Sequence, residues 1–156
     1  MRGRRFRKRK ILPDPKYSSI LVARFVNQLM RRGKKSTASK IVYCALGLIE
    51  QKTKRKPLDL LEEAIRNVSP PLEVRPRRIG GASYQIPMEV SRERQITLAM
   101  RWMIEEARSR QGRPMSQFLA NEILLASKKE GSAMKRRENM LRMAEANRAF
   151  AHFARM

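Results

Sequence analysis

Residues 72–90 read LEVRPRRIGGASYQIPMEV, and their reading decides the fold. Two short runs of strand-forming residues flank Gly80-Gly81, a pattern that predicts a basic β-hairpin turning on the glycine pair. Pro76 and Pro87 have no N–H to donate to a ladder, so both strands must be edges, and a lone two-stranded hairpin is marginal in water. The hairpin is therefore expected to project from a body made of something else.

The flanking sequence makes that body helical. Upstream, Val22, Phe25, Val26 and Leu29 share one face of a helix from Ser18 to Met30, opposite Arg24, Asn27, Gln28 and Arg31, until Gly33 ends the pattern. Ser36 is placed to cap a second helix with Ala38, Ile41, Ala45, Leu48 and Ile49 on its apolar face. Pro57 opens a third with Leu58, Leu61, Ala64, Ile65 and Val68, which Pro70 and Pro71 stop. Downstream, a fourth helix starts near Ser91 and packs Ile96, Ala99, Met100, Met103 and Ala107. A fifth runs from about Met115 to Lys129 with Phe118, Leu119 and Ile123, and a sixth, capped by Ser132, turns Met140, Leu141 and Ala144 inward. The terminal NRAFAHFARM is of mixed character. The expected fold is all-α, a single domain of about six helices (17–156) with one protruding hairpin at about 72–90.

Charge supplies the functional class. The 156 residues carry 36 Lys and Arg against 14 Asp and Glu, a net +22 that implies a polyanionic partner. Residues 1–56 hold 18 of those bases but only 2 of the acids. Arg2, Arg4, Arg5, Arg7, Lys8, Arg9 and Lys10 crowd ahead of Pro13 and Pro15, so residues 1–16 read as a basic arm that orders only on its partner. Such an arm contacts phosphates without reading bases. It lacks the hydroxyl-rich composition of a transit peptide, and no apolar run is long enough to span a membrane, so a cytoplasmic protein without a membrane partner is expected.

Catalysis finds little support. His152 is the sole histidine, no phosphate-binding glycine loop opens a helix, and Cys44, the one cysteine, excludes a disulfide or cysteine-based zinc site and reads as a small core residue. Glu62-Glu63 and Glu105-Glu106 occupy adjacent helix positions that point apart, as on solvated faces, and Trp102 and most methionines have core spacing. No cofactor and no metal is expected.

Two basic features stand out. Arg94, Arg101 and Arg108 recur every seven residues along one face of the fourth helix, which favours phosphate clamping. In the hairpin, Arg75, Arg77 and Arg78 approach a bare glycine turn, with Tyr84 available to stack on a base.

The ordered blocks KILPDPKY, GKKSTASKIVY, VRPRRIGGASYQIPMEV, LAMRW, LANEI and RMAEANRAFAHF closely resemble the bacterial-type small-subunit ribosomal protein seven family, from Arg2 to Phe153. The resemblance implies a structural, non-enzymatic protein that binds the 3′ major domain of small-subunit (16S) rRNA and nucleates assembly of the subunit head. It also implies a place at the tRNA exit site near the mRNA exit path, beside small-subunit proteins nine and eleven. By the same resemblance Arg4, Arg5, Lys8, Lys10, Lys34, Lys35, Arg75, Arg77, Arg78, Arg94 and Arg101 are expected at rRNA, and we add Arg2, Arg7, Arg9, Arg108, Lys135 and Arg136 as basic neighbours. Arg78, Ile79, Gly80, Gly81, Ala82, Ser83 and Tyr84, with Arg142, Asn147 and Arg148, are expected near exit-site tRNA and mRNA. Leu141 stands where many members have histidine, and Ser116-Gln117 replaces a more aliphatic start to the fifth helix. The residues taken without the resemblance leave two rivals open: a nucleoid-type DNA-binding protein, which the basic ribbon would suit, and a basic ribonuclease, which lacks a partner for His152.

Overall fold

The computed structural model describes residues 10–155, and among them are six α-helices, a two-stranded hairpin and a C-terminal 3-10 helix. Helix α1 (Ile20–Leu29) starts at Ser19, whose hydroxyl accepts from the Val22 amide, and it buries the four residues its periodicity selects: Val22, Phe25, Val26 and Leu29. Helix α2 (Lys35–Thr53) has no side-chain cap, and Ser36 lies inside its first turn rather than before it. The preceding turn, with Arg32 and Gly33 at positive φ, carries the chain into the helix two residues earlier than a cap at Ser36 requires. Cys44 is exposed, correcting the core reading. On α2 the buried positions are Ala38, Val42, Ala45, Leu46 and Ile49, and Cys44 points away from that stripe.

Helix α3 (Pro57–Val68) begins with proline at its first turn, where the missing N–H costs nothing, and ends where Pro70 and Pro71 forbid continuation. Helix α4 (Arg92–Ser109) buries Ala99, Met100, Met103 and Ala107 as expected, and Leu98, Trp102 and Ile104 besides, while Ile96 is only half-buried. Helix α5 (Met115–Ser127) sits at the centre of the body, packed by α2, α3 and α4 and by α6 (Ser132–Ala146). Its Leu119, Ala120, Ile123 and Ala126 are fully buried, and Asn67 of α3 donates to the Ala126 and Ser127 carbonyls at the end of α5. Gly131, at φ 96°, caps α6 in place of Ser132, whose hydroxyl instead accepts from Arg110. A Cβ at Gly131 would meet Leu125 Cβ at 3.0 Å, so the backbone there is reserved for glycine twice over.

The hairpin joins β1 (Leu72–Ile79) to β2 (Ala82–Glu89), antiparallel, with Ile79 opposite Ala82. Gly80 and Gly81 both have positive φ, as the tight turn that matches strand twist requires. Counting from the closing pair, hydrogen-bonded and open pairs alternate, and Pro76 (opposite Gln85) and Pro87 (opposite Val74) both fall in open pairs, where a missing N–H breaks no ladder bond. The hairpin is not a free projection. The 3-10 helix Arg148–Arg155, in the stretch that shows no periodicity in sequence, lies against β2.

Before α1 the chain closes a tight knot around Asp14, which is 6% exposed. One carboxylate oxygen accepts from the Lys16 and Tyr17 amides at 3.1 Å, and the other from the Tyr43 hydroxyl of α2 at 2.6 Å. That hydrogen bond, with desolvation behind it, pushes the Tyr43 hydroxyl up to about 12.

Candidate nucleic-acid interface

The basic residues divide by whether an acid answers them. Lys10, Lys34, Lys35, Arg78, Arg101, Lys135 and Arg142 are exposed and enter none of the ion pairs among the described residues. Arg2, Arg4, Arg5, Arg7, Lys8 and Arg9 lie outside the described residues, whereas the end of the expected arm, residues 14–16, is packed onto the body through Asp14 without any partner.

The arginine stripe of α4 has three different environments. Arg94 donates to Glu73 of β1, Nη2 at 2.8 Å and Nε at 3.3 Å, in a two-point fork. Arg101 stands exposed. Arg108 is part-buried and donates to the Leu29 carbonyl at the end of α1, where burial, and Arg31 after it, push its pKa down. Seven-residue spacing puts the three on one face, but the neighbouring elements decide that only Arg101 is wholly open to a ligand.

Below Arg101, Arg136 of α6 contacts Glu105 at 2.7 Å and Glu106 at 3.6 Å and lies over the Trp102 ring. The two adjacent glutamates therefore bracket one guanidinium rather than pointing apart into solvent. Lys135 beside it is exposed.

On the hairpin, Arg75 shares Glu73 with Arg94, Arg77 donates to the Phe153 carbonyl at 3.1 Å, and Arg78 is exposed. Tyr84 is already occupied. Its ring lies 5.2 Å from Phe150 and 5.9 Å from Phe153, so it braces the hairpin against the 3-10 helix instead of offering a face for stacking. Ile79 is half-buried, while Gly80, Gly81, Ala82 and Ser83 are exposed at the tip. Arg142 and Arg148 are exposed, Arg148 within 3.5 Å of Glu145, and Asn147 donates to the Met143 carbonyl.

Two concave regions, the first of them basic, escape a reading by elements. The turns 30–35 and 110–114 meet in a cleft of about 430 Å³, where Arg31, Lys34, Arg108, Arg110 and Arg113 surround an apolar floor that includes Ile41, Met115 and Phe118. Arg110 is spoken for, since it reaches the buried Glu122 at 3.0 Å. The signal in the sequence is that both turns, RRGKK and SRQGRP, combine a glycine with bases. A second groove of about 800 Å³ runs between the arm root and the α1–α4 face, bounded by Lys10, Ile11, Ile20, Arg24 and Met100.

Among the described residues no group of three or more His, Cys, Asp or Glu is arranged to hold a metal ion, and no helix is long and apolar enough to cross a membrane.

Residues 1–148 match the family described as Ribosomal protein S7p/S5e. The small ribosomal subunit protein uS7 of Thermotoga petrophila is 54% identical over 153 residues, covering 98% of this chain and 99% of that relative. The protein of the same name from Dictyoglomus turgidum is 55% identical over 145 residues, 93% of each chain. That of Chloroflexus aggregans is 52% identical over 149 residues, 96% of this chain and 95% of the relative.

Proposed function

Because the chain belongs to the ribosomal protein S7p/S5e family, and so has a structural role in the small ribosomal subunit in the cytoplasm, we propose that it is a non-enzymatic protein and the primary binder of the 3′ major domain of 16S rRNA. In this reading it nucleates assembly of the subunit head and lies by the tRNA exit site near the mRNA exit path, with small-subunit proteins nine and eleven as neighbours. The end-to-end family match carries it, and the distribution of charge supports it. Bases free of acids occur at the arm root, the α1–α2 turn, the α4 face and the hairpin tip, a spread suited to a folded RNA junction rather than to one straight duplex. The basic run ahead of Pro13 acts as an arm added to a helical domain that begins at the Asp14 knot. Arg101, Lys34 and Lys35 contact phosphate backbone; the Ile79–Ser83 tip, with Arg142 and Arg148, faces exit-site RNA.

Competition binding tests the proposal. The protein should hold a 3′-domain rRNA fragment much more tightly than DNA of equal length. Replacing Arg101 and Lys35 by alanine should flatten the salt dependence by up to about 0.7–0.9 for each phosphate no longer neutralised. Equal affinity for RNA and DNA would instead describe a nucleoid-type protein and end this reading.

A further inference from the structure

Glu73, the second residue of β1, has arginine partners on two different elements. Its Oε1 accepts from Arg94 Nη2 at 2.8 Å, and its Oε2 from Arg94 Nε at 3.3 Å. The same Oε2 accepts from Arg75 Nη2 at 3.1 Å and Nε at 3.4 Å. The carboxylate side chain is 12% exposed, whereas Arg75 and Arg94 are 51% and 36% exposed. The acid therefore lies beneath and the two cations above it.

A strut between hairpin and body needs one base for one acid. Here two guanidiniums share a single negative charge, and the surplus positive charge is on the solvent side. Each guanidinium spends two of its five N–H groups on Glu73 and keeps three for an outside acceptor. Two charged forks held side by side suit the two free oxygens of one phosphodiester, as paired guanidinium recognition requires. The arginines themselves, Arg94 first, hold the Glu73 carboxyl below its usual range, which favours the ionised form of the support.

We infer that Arg75 and Arg94 together form one phosphodiester site at the root of the hairpin and that Glu73 is the positioning residue that sets it. The inference rests on the RNA-binding reading above and adds to it a defined site whose acid favours binding to a polyanion. Charge counting alone predicts the opposite sign, because removing an acid from a polyanion-binding surface raises its positive potential.

The experiment is a salt series of binding titrations with the full chain and a 3′-domain rRNA fragment. Glu73→Gln keeps the shape and removes the charge that orients the forks. It should weaken binding by about fivefold or more, through loss of preorganisation of two long side chains, and flatten the salt slope by up to about 0.7–0.9, the share of one phosphate. Arg94→Lys, which keeps the charge and loses the fork, should weaken binding as well. Adding Glu73→Gln to Arg75→Ala/Arg94→Ala should cause no further loss. Tighter or unchanged binding by Glu73→Gln overturns the inference. So does an equal loss in the double-alanine background, which would make Glu73 a strut only. Failure of the wild type to prefer RNA over DNA, seen in the same titrations before any variant, overturns the underlying reading instead.

Discussion

Helix α5 and the hairpin treat a buried acid in opposite ways. In α5, Glu122 is fully buried and answered within the fold, by Arg110 at 3.0 Å and by the Ala133 amide at 2.8 Å. In β1, Glu73 is nearly as covered but gathers two arginines that both reach solvent. An ion pair inside the core has to balance locally, because an unmatched charge there is costly. At the edge of the body a surplus is tolerated and left outward, available to a partner. The same division runs through the packing, since α5 is enclosed by four helices, while the hairpin is anchored at Ile86 and Pro87 and by an aromatic brace.

The largest effect expected on this contrast is in the core. Ile123→Ala should cost about 2–5 kcal/mol, since the site has no room to collapse, and thermal melting should fall by about 2–4 °C for each kcal/mol. If a hairpin substitution costs as much, the two regions are not energetically distinct. Next comes the brace. Phe150→Ala with Phe153→Ala removes both aromatic partners of Tyr84, each worth about 0.5–1.5 kcal/mol beyond its area. Amide exchange at Arg77 and Tyr84 should accelerate while the global melting temperature barely moves; a fall matching Ile123→Ala would make the hairpin part of the core. The smallest effect lies at the arm root and appears only in alkali. Because the folded Tyr43 hydroxyl is raised to about 12 from 10, its contribution is full below pH 10 and lost as pH climbs from 10 to 12. The difference in stability between wild type and Tyr43→Phe should therefore be constant up to pH 10 and change across that window. A flat difference throughout would show that Asp14 does not hold the proton in place.

Much of the fold is legible in the sequence because periodicity and punctuation are local. The four residues that periodicity selects on α1 are all buried, Pro57 opens α3, and Gly80-Gly81 makes the turn. What stays hidden depends on partners distant in sequence. The spacing of Arg94, Arg101 and Arg108 places them on one face, yet their availability is set by a carboxylate 21 residues away in one case and a carbonyl 79 residues away in another. Tyr84 reads as free because the stretch that covers it has no helical period of its own. Cys44 is exposed although small, since size says nothing about which side of α2 it occupies. The cleft lined by Arg31 and Arg113 needs two turns brought together and belongs to no single element.

The knot at Asp14 has a consequence for how the basic run acts. With its carboxylate, backbone and Tyr43 partner all engaged, the chain leaves the body from a fixed point beside α2. Lys10, exposed four residues upstream, is thereby given a bearing relative to the helices. A carboxylate and a phenol can then govern where a cation stands, so that loss of Asp14 or Tyr43 would cost the root of the basic run its aim without removing one positive charge.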